Sequence, residues 1–373
     1  MKVAVVGGGI LGASAAYHLA GEGAEVVLVD RADEGRATDA GAGIVCPWGA
    51  AYAEPASYQL AAAAARYYPR LVAALAREGE GGFAYRQVGA LFVSSEAAKL
   101  DALEERLAER LPQAPEAGPI ERLTSKEARG RFPPLGEGIA AVSIGGGARV
   151  DGALIAQALT RAALGRGAQL RKGSAQLLLR GGRLAGIEVE GEALECDLVV
   201  AAVGAWADEF LAPAGVRLSV EPQRGQILHL RRDGEATAAW PIVEMMNSYY
   251  MLAFEDSRVV IGATRETRAG FDHRLTAGGI AEVLNAALAV APALAEWTIS
   301  ETRIGFRPLA ADEKPVLGPA PGLENLIIAN GLGPSGLTLG PYAGALIAQL
   351  IAKGRAEMPL EPFHPVGTMV RSS

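Results

Sequence analysis

Cysteine and histidine are scarce in this chain of 373 residues, which has two thiols, Cys46 and Cys196, and four imidazoles, His18, His229, His273 and His364. Two thiols cannot build a disulfide framework. Structural zinc needs about four Cys or His ligands at tight spacing, which these scattered positions do not provide. The low cysteine usage suits a reducing cytoplasm. Positive charge is also short: 35 Lys and Arg against 42 Asp and Glu leave a net charge of -7, so no broad basic surface for nucleic acid is expected. No run of about 18 apolar residues lacks a charge or a breaker, so no membrane span is expected. The 47 glycines and 21 prolines keep no three-residue period, which excludes a collagen. Hydrophobic residues at 50% and charged residues at 21% exclude a disordered chain.

The length is about two and a half typical domains, so two domains are expected. Residues 1–20 hold a lysine and then an apolar run, superficially like a signal peptide. Three consecutive glycines, Gly7 to Gly9, would weaken an apolar helical core there. The better reading is a buried β-branched strand over 2–6, a glycine turn, a helix over 10–21 and a second buried strand over 25–30. Further on, the patterns predict helices over 56–78, 96–110, 151–163, 277–291 and 337–352. Strands are expected at 89–94, 198–203, 226–230, 249–254, 258–262 and 326–329. A hairpin is expected over 169–179 and 183–190 around Gly181-Gly182. Residues 112–138 read as surface connections. Dinucleotide-fold character lies at both ends and in the middle, so the two domains are interleaved.

The pattern Gly7-x-Gly9-x-x-Gly12 falls between the first strand and the first helix, and Asp30 ends the second strand. Each residue has a physical task. Gly7 permits a tight turn, Gly9 lets backbone approach a pyrophosphate, and Gly12 lets helix and strand pack closely. The helix N-terminus favours phosphate charge, and Asp30 would accept hydrogen bonds from ribose hydroxyls. This fingerprint does not separate NAD from FAD. The next segment helps: in RATDAGAGIV, residues Ala40, Gly41, Ala42 and Gly43 leave backbone amides uncovered, and Thr38 adds a hydroxyl. Such a loop can pack against a flavin and its phosphates, although a plain flexible loop has the same composition.

Four stretches, in this order and spacing, resemble the D-amino-acid oxidase superfamily of FAD-dependent amine oxidoreductases, especially its glycine oxidase and D-amino-acid dehydrogenase branch. They are VAVVGGGILGASAAYHLA with EVVLVD, then ATDAGAGIV, then DLVVAAVGAW, then GFRPLAADEKPVLGPAPGLENLIIANGLGPSGLTLGP. The resemblance covers nearly the whole chain and is specific to the superfamily, not to one substrate. It implies an α/β fold, with a glutathione-reductase-type FAD-binding domain interleaved with a substrate domain on a mixed or antiparallel sheet. The implied division is 1–84, 139–216 and 306–373 for the flavin and 85–138 and 217–305 for the substrate.

Residue by residue, the resemblance puts Gly7, Gly9 and Gly12 at the FAD pyrophosphate, with Ile10 and Leu11 beside them. Asp30 would face the adenosine ribose, next to Arg31. Thr38 and the backbone of Ala42, Gly43 and Ile44 would lie near pyrophosphate and flavin, and the Gln176 backbone near adenine. Gly204 and Trp206 sit at an ATG-like turn. Gly333, Pro334, Ser335, Gly336, Leu337 and Thr338 would offer backbone amides to the isoalloxazine, where the positive helix end stabilises reduced, anionic flavin. Arg307 in GFRP matches the arginine that clamps the substrate carboxylate, and a guanidinium suits that task with two parallel donors and a permanent charge. Its plainer role is a structural ion pair. Tyr250 matches a tyrosine near the same carboxylate, with Tyr249 one register step away. A core sheet tyrosine is the alternative.

Some positions depart from the pattern. Arg265 follows Gly262-Ala263-Thr264 where glycine oxidases are usually uncharged. It would either recognise a second acidic group on the substrate or pair with Glu266 or Glu255. Pro334 replaces the basic residue of the glycine oxidase branch, which weakens a glycine preference. No cysteine follows Cys196, so flavin is bound non-covalently, without the C-terminal cysteine link of sarcosine oxidases. Cys46 lies just past the GAGIV loop, facing flavin and substrate or buried as an inert thiol.

The chemistry implied is oxidative deamination of a small amino acid or amine. The first class is a D-amino acid, then glycine or an N-substituted amino acid. The α-hydrogen passes as hydride to flavin N5, and the imine hydrolyses to a 2-oxo acid and ammonia. Orientation matters more than a strong base, and oxygen or a quinone would take the electrons. The alternatives are an FAD-bearing subunit of a larger dehydrogenase, a non-catalytic flavoprotein, or an NAD-linked dehydrogenase. A homo- or hetero-oligomer is compatible with all of these.

Overall fold

The computed structural model describes residues 1–365 except Ala53 and Gly182. The expected turn residue Gly182 and the stretch 366–373 lie outside the described residues. Strand Lys2–Val6 pairs in parallel with Glu25–Asp30 on one side and Leu198–Ala201 on the other. Its β-branched residues are buried on both faces, as a central parallel strand requires. Gln169–Lys172, Leu323–Asn330 and the antiparallel edge Val316–Ala320 complete a six-stranded sheet.

Helix Ile10–Gly21 packs against Gly152–Gly165 and Gly336–Lys353. Gly344 permits the second contact, since a Cβ there would meet Ala15 N at 2.7 Å. The Gly336–Lys353 helix has the length and apolarity of a membrane span, yet its residues 337–348 are all buried, which makes it a core helix.

The second large sheet has eight strands, in the order Thr298–Ala310, Val220–Arg231, Arg258–Gly262, Tyr250–Ala253, Ile242–Met245, Ala90–Ser94, Ala140–Ile144 and Ile120–Leu123. It is antiparallel except where Ile242–Met245 runs parallel to Ala90–Ser94. Alternation along each strand gives it two distinct faces. Leu91, Val93, Val243, Met251 and Ile261 join Phe132, Trp240 and Trp297 in one core. Ala90, Phe92, Ile242, Leu252 and Val260 point the other way and join Trp48, Leu100 and Leu103 in a second core.

The structure corrects several expectations. Residues 112–138 are more than connections: they include strand Ile120–Leu123 and helix Ser125–Arg131, whose start is a reciprocal capping box between Thr124 and Glu127. Gln169–Lys172 belongs to the parallel sheet, and the hairpin is Ala175–Arg180 with Arg183–Val189. The eight-stranded sheet includes Ala140–Ile144 and continues to Ala310, so the expected divisions at 138/139 and 305/306 fall beside or inside its strands. Several strands lacked a sequence prediction, among them Ala140–Ile144, Ile242–Met245, Thr298–Ala310 and Val316–Ala320.

Candidate active site

A cavity of about 940 Å³ is lined by residues of both large sheets. At one end lie the glycine turn and the ends of the parallel strands. Gly7 has φ +104° there, and a Cβ would meet Ala202 O at 2.3 Å, so no other residue fits. Gly9, Ile10 and Leu11 line the cavity. Gly12 does not: a Cβ on it would meet Gly7 O at 1.9 Å. Its task is close packing of helix on turn, and the expectation that it faces a pyrophosphate is corrected.

Thr38 Oγ1 accepts from Ile10 N at 3.0 Å and so caps the first helix from a neighbouring segment. Asp30 Oδ2 accepts from Gly8 N at 3.0 Å and from Arg36 Nη1 at 2.9 Å, and Oδ1 accepts from Ala32 N at 2.7 Å. A carboxylate has about four acceptor sites, so one remains for a ribose hydroxyl. Arg31 also lines the cavity but is held by Asp33 and Glu209. Arg36, which the sequence reading passed over, bridges Asp30 and Asp39 on the cavity wall.

The wall continues through Ala42, Gly43 and Ile44, through Gln176, and through Gly204 and Trp206. Gly43 has φ +102°, and a Cβ would meet Val150 O at 1.8 Å. The turn Gly333, Pro334, Ser335 and the helix start Gly336, Leu337 and Thr338 close this end. Two helix N-termini therefore point at one elongated cavity with a glycine-lined floor, an arrangement that fits a dinucleotide of FAD size.

The other end is one face of the eight-stranded sheet. Glu244 is register partner of both Phe92 and Tyr250, Tyr250 of Gly262, and Gly262 of Ile227. These side chains form a single row, and Phe92, Glu244, Tyr250 and Ile227 line the cavity. Gly262 lets the Tyr250 ring lie across it, because a Cβ would meet Tyr250 Oη at 2.8 Å.

Arg307 comes from the long strand Thr298–Ala310 and lies flat over Gly225, where a Cβ would meet its Nη2 at 2.6 Å. Its Nη1 donates to Thr264 O at 3.0 Å and to Gln223 Oε1 at 3.3 Å. Burial pushes the Arg307 guanidinium below its usual value, with the Tyr250 hydroxyl opposing and Arg265 adding to the fall. Burial likewise raises Tyr250, against the pull of Arg307.

Arg265 lines the same cavity. Its expected partners are occupied, Glu266 by Arg224 and Glu255 by Arg86 and Arg149. Among the described residues neither Arg265 nor Arg307 has an ion-pair partner. Thr264 Oγ1 and Gln226 Nε2 both donate to Glu266 at 2.7 Å, which fixes the turn that carries Arg265.

Tyr249 is a correction. It points to the opposite sheet face, packs with the Trp240 core and donates its hydroxyl to Glu282 at 2.7 Å. Adjacent strand residues face opposite ways, so only Tyr250 reaches the cavity. Cys46 does line it, as a buried thiol that burial and Glu244 hold in the protonated form. Cys196 is partly buried beside the parallel-sheet core.

The FAD dependent oxidoreductase family pattern matches residues 2–350. The chain belongs to this family. Bacillus subtilis has a relative called uncharacterized oxidoreductase YurR, 45% identical over 98% of both chains. The crystal structure of iminodiacetate oxidase from Chelativorans sp. BNC1 superposes with a TM-score of 0.95 at 49% identity, over 97% of this chain and 98% of that one. Glycine oxidase from Geobacillus kaustophilus gives a TM-score of 0.86 at 26% identity over 98% of each. FAD is thus the cofactor for which the glycine-lined end is built.

Glu244 and Arg106 also line the cavity and were missing from the sequence reading. A lone acid in the apolar run PIVEMM was the signal for Glu244. Burial pushes its carboxyl up to about 7, with Arg265 pulling the other way.

Proposed function

We propose that this flavoenzyme oxidises a small amino acid whose nitrogen carries a second carboxylate arm, with iminodiacetate as the reference substrate. The observation that carries this reading is the pair Arg307 and Arg265, two of the cavity's cations, both within electrostatic reach of Tyr250 and neither in a salt bridge among the described residues. The likeness to iminodiacetate oxidase supports the same class. The more distant likeness to glycine oxidase supports amino-acid oxidation in general.

Arg307 takes one carboxylate through two parallel N–H donors, with the Tyr250 hydroxyl adding a third hydrogen bond. Arg265 takes the second carboxylate and so fixes the rotation of the molecule about the first. Phe92 and Ile227 supply apolar walls that exclude water around the reacting carbon. Bound FAD supplies the acceptor for two electrons and the α-hydrogen. The substrate Cα–N bond becomes an imine, and water cleaves it to a 2-oxo acid and an amine, glyoxylate and glycine in the case of iminodiacetate.

The test is anaerobic bleaching of the flavin by iminodiacetate, glycine, sarcosine, D-alanine and D-proline. Iminodiacetate is expected to reduce it fastest. Arg265→Ala should cut the rate with iminodiacetate by at least about tenfold while changing sarcosine little. Equal rates for iminodiacetate and sarcosine, or an equal loss for both in the variant, would overturn the reading.

A further inference from the structure

We propose that the Glu244 carboxylate is the group that receives the substrate ammonium and takes its proton before oxidation. This rests on the reading above that an amino acid occupies the cavity. The Glu244 side chain makes no hydrogen bond or salt bridge among the described residues, and it opens onto the cavity. Register places it beside Tyr250, on the sheet face that also carries Arg307. An acid on a cavity wall that feels only the through-space pull of Arg265 gains from a cation that can hydrogen-bond it.

Charge arithmetic indicates what that cation is. Beside Tyr250 the cavity presents Arg307, Arg265 and Glu244, with Arg106 a further cation on its wall. An iminodiacetate-type substrate in neutral water carries two carboxylates and one ammonium, so each of the three groups beside Tyr250 can meet a substrate group of opposite charge. Once the arginines take the carboxylates, the ammonium is the cation left for Glu244.

The chemistry also needs a proton acceptor. Loss of the α-hydrogen with its electron pair requires a nitrogen lone pair to form the C=N bond, and an ammonium has none. In the proposed step the N–H bond breaks, its electron pair stays on nitrogen, and the proton forms an O–H bond on Glu244. Nothing is oxidised or reduced in that step.

The groups around Glu244 suit the exchange. Arg265 reaches it from the turn after strand Arg258–Gly262, Tyr250 from the adjacent strand, and Cys46 and Tyr52 from the segment after strand Ile44–Val45. Arg307 faces Tyr250 from the long strand, Phe92 on strand Ala90–Ser94 is uncharged, and helix Ala97–Arg110 contributes Arg106 to the cavity wall. Burial brings the Glu244 carboxyl close to neutrality, high enough to accept a proton and low enough to be ionised when substrate arrives.

The experiment compares the holoenzyme with Glu244→Gln and Glu244→Asp. Wild-type kcat/KM for the best amine of the panel should rise with pH through about 7 and then level. Glu244→Gln should lose at least about tenfold at neutral pH and recover toward about pH 10, where the amine is already free base. Glu244→Asp should keep the neutral-pH profile in part.

A second readout needs no turnover. Diglycolate has both carboxylates but an ether oxygen in place of the amine, so Glu244 repels it without compensation. It should bind Glu244→Gln several-fold more tightly than wild type by titration calorimetry. A profile unchanged in Glu244→Gln, a loss equal at all pH values, or weaker diglycolate binding would overturn the proposal. If sarcosine or glycine proves the best amine, the dicarboxylate reading fails alone, and the pH comparison with that amine still decides the role of Glu244. If no amine bleaches the flavin, both readings fall.

Discussion

The seat of Arg307 gives the sharpest test of how the sheet builds the substrate end. Gly225 lies in strand Val220–Arg231, outside the left-handed region, so its backbone accepts alanine. A Cβ there would meet Arg307 Nη2 at 2.6 Å and Cζ at 2.7 Å. Ordinary contact lies near 3.5 Å, so the guanidinium must retreat by about 0.8 Å or more. Its hydrogen bonds to Thr264 O at 3.0 Å and Gln223 Oε1 at 3.3 Å cannot both survive that shift. A misplacement of about 1 Å costs on the order of a hundredfold in rate, or about 2.7 kcal/mol of transition-state stabilisation. The atom displaced belongs to a long side chain, so the fold should absorb the change for about 1–3 kcal/mol. Gly225→Ala is therefore expected to lose about a hundredfold in kcat/KM while retaining FAD through gel filtration and melting only a few degrees lower. A variant with full FAD and kcat/KM within about twofold of wild type would refute the idea that Gly225 exists to seat the carboxylate clamp.

Two further outcomes follow from other parts of the molecule. Asp30→Ala removes acceptors for Gly8 N, Ala32 N and Arg36; each such charge-assisted bond is worth about 1.5–3 kcal/mol. The variant should leave gel filtration depleted of FAD, and full FAD content would count against a ribose role for this residue. His18 is buried against Tyr67, whose hydroxyl lies 2.6 Å from Nε2, and burial lowers its pKa from 6.5 to about 4. The folded state thus binds this proton less readily than the unfolded chain. Its contribution to stability is full above about pH 6.5 and is lost as pH falls through about 4, for a maximum near 3 kcal/mol. Urea midpoints measured between about pH 7 and pH 4 should fall less steeply in His18→Gln than in wild type, and parallel curves would refute the assignment.

The parts of the fold legible in the sequence are those governed by local rules. The opening strand, glycine turn, helix and second strand follow from a β-branched run, φ-permissive glycines and a terminal acid, all within 30 residues of chain. The same holds for the Gly336–Lys353 helix and the glycine turn before it. What escaped is what depends on partners far away in sequence. Strand Thr298–Ala310 is exposed over its first four residues and shows little alternation, and its identity comes from pairing with Val220–Arg231 along its whole length. Strand Ile242–Met245 is four residues long, and its parallel partner lies some 150 residues earlier. Missing that strand meant missing Glu244. The choice between Tyr249 and Tyr250 needed a register, and pairing to Glu244 and Gly262 supplies it.

The division of labour across the eight-stranded sheet also bears on how one scaffold takes different amines. Arg307 sits on the longest strand, flanked by main-chain pairing and seated on a glycine, so its position is over-determined. Arg265 stands three residues past the end of strand Arg258–Gly262, on a turn held mainly by Glu266. Glu244 lies next to last in a four-residue strand. A change at Arg265 or Glu244 would alter the charge that meets the amine side of a substrate without moving the carboxylate clamp. On the proposed role of Arg307 as carboxylate clamp, a change there would disturb every amino-acid substrate alike. Side-chain specificity should therefore evolve at 244 and 265, while 225 stays tied to 307 and 262 to 250 by contact distances that leave no room for a methyl group at either glycine.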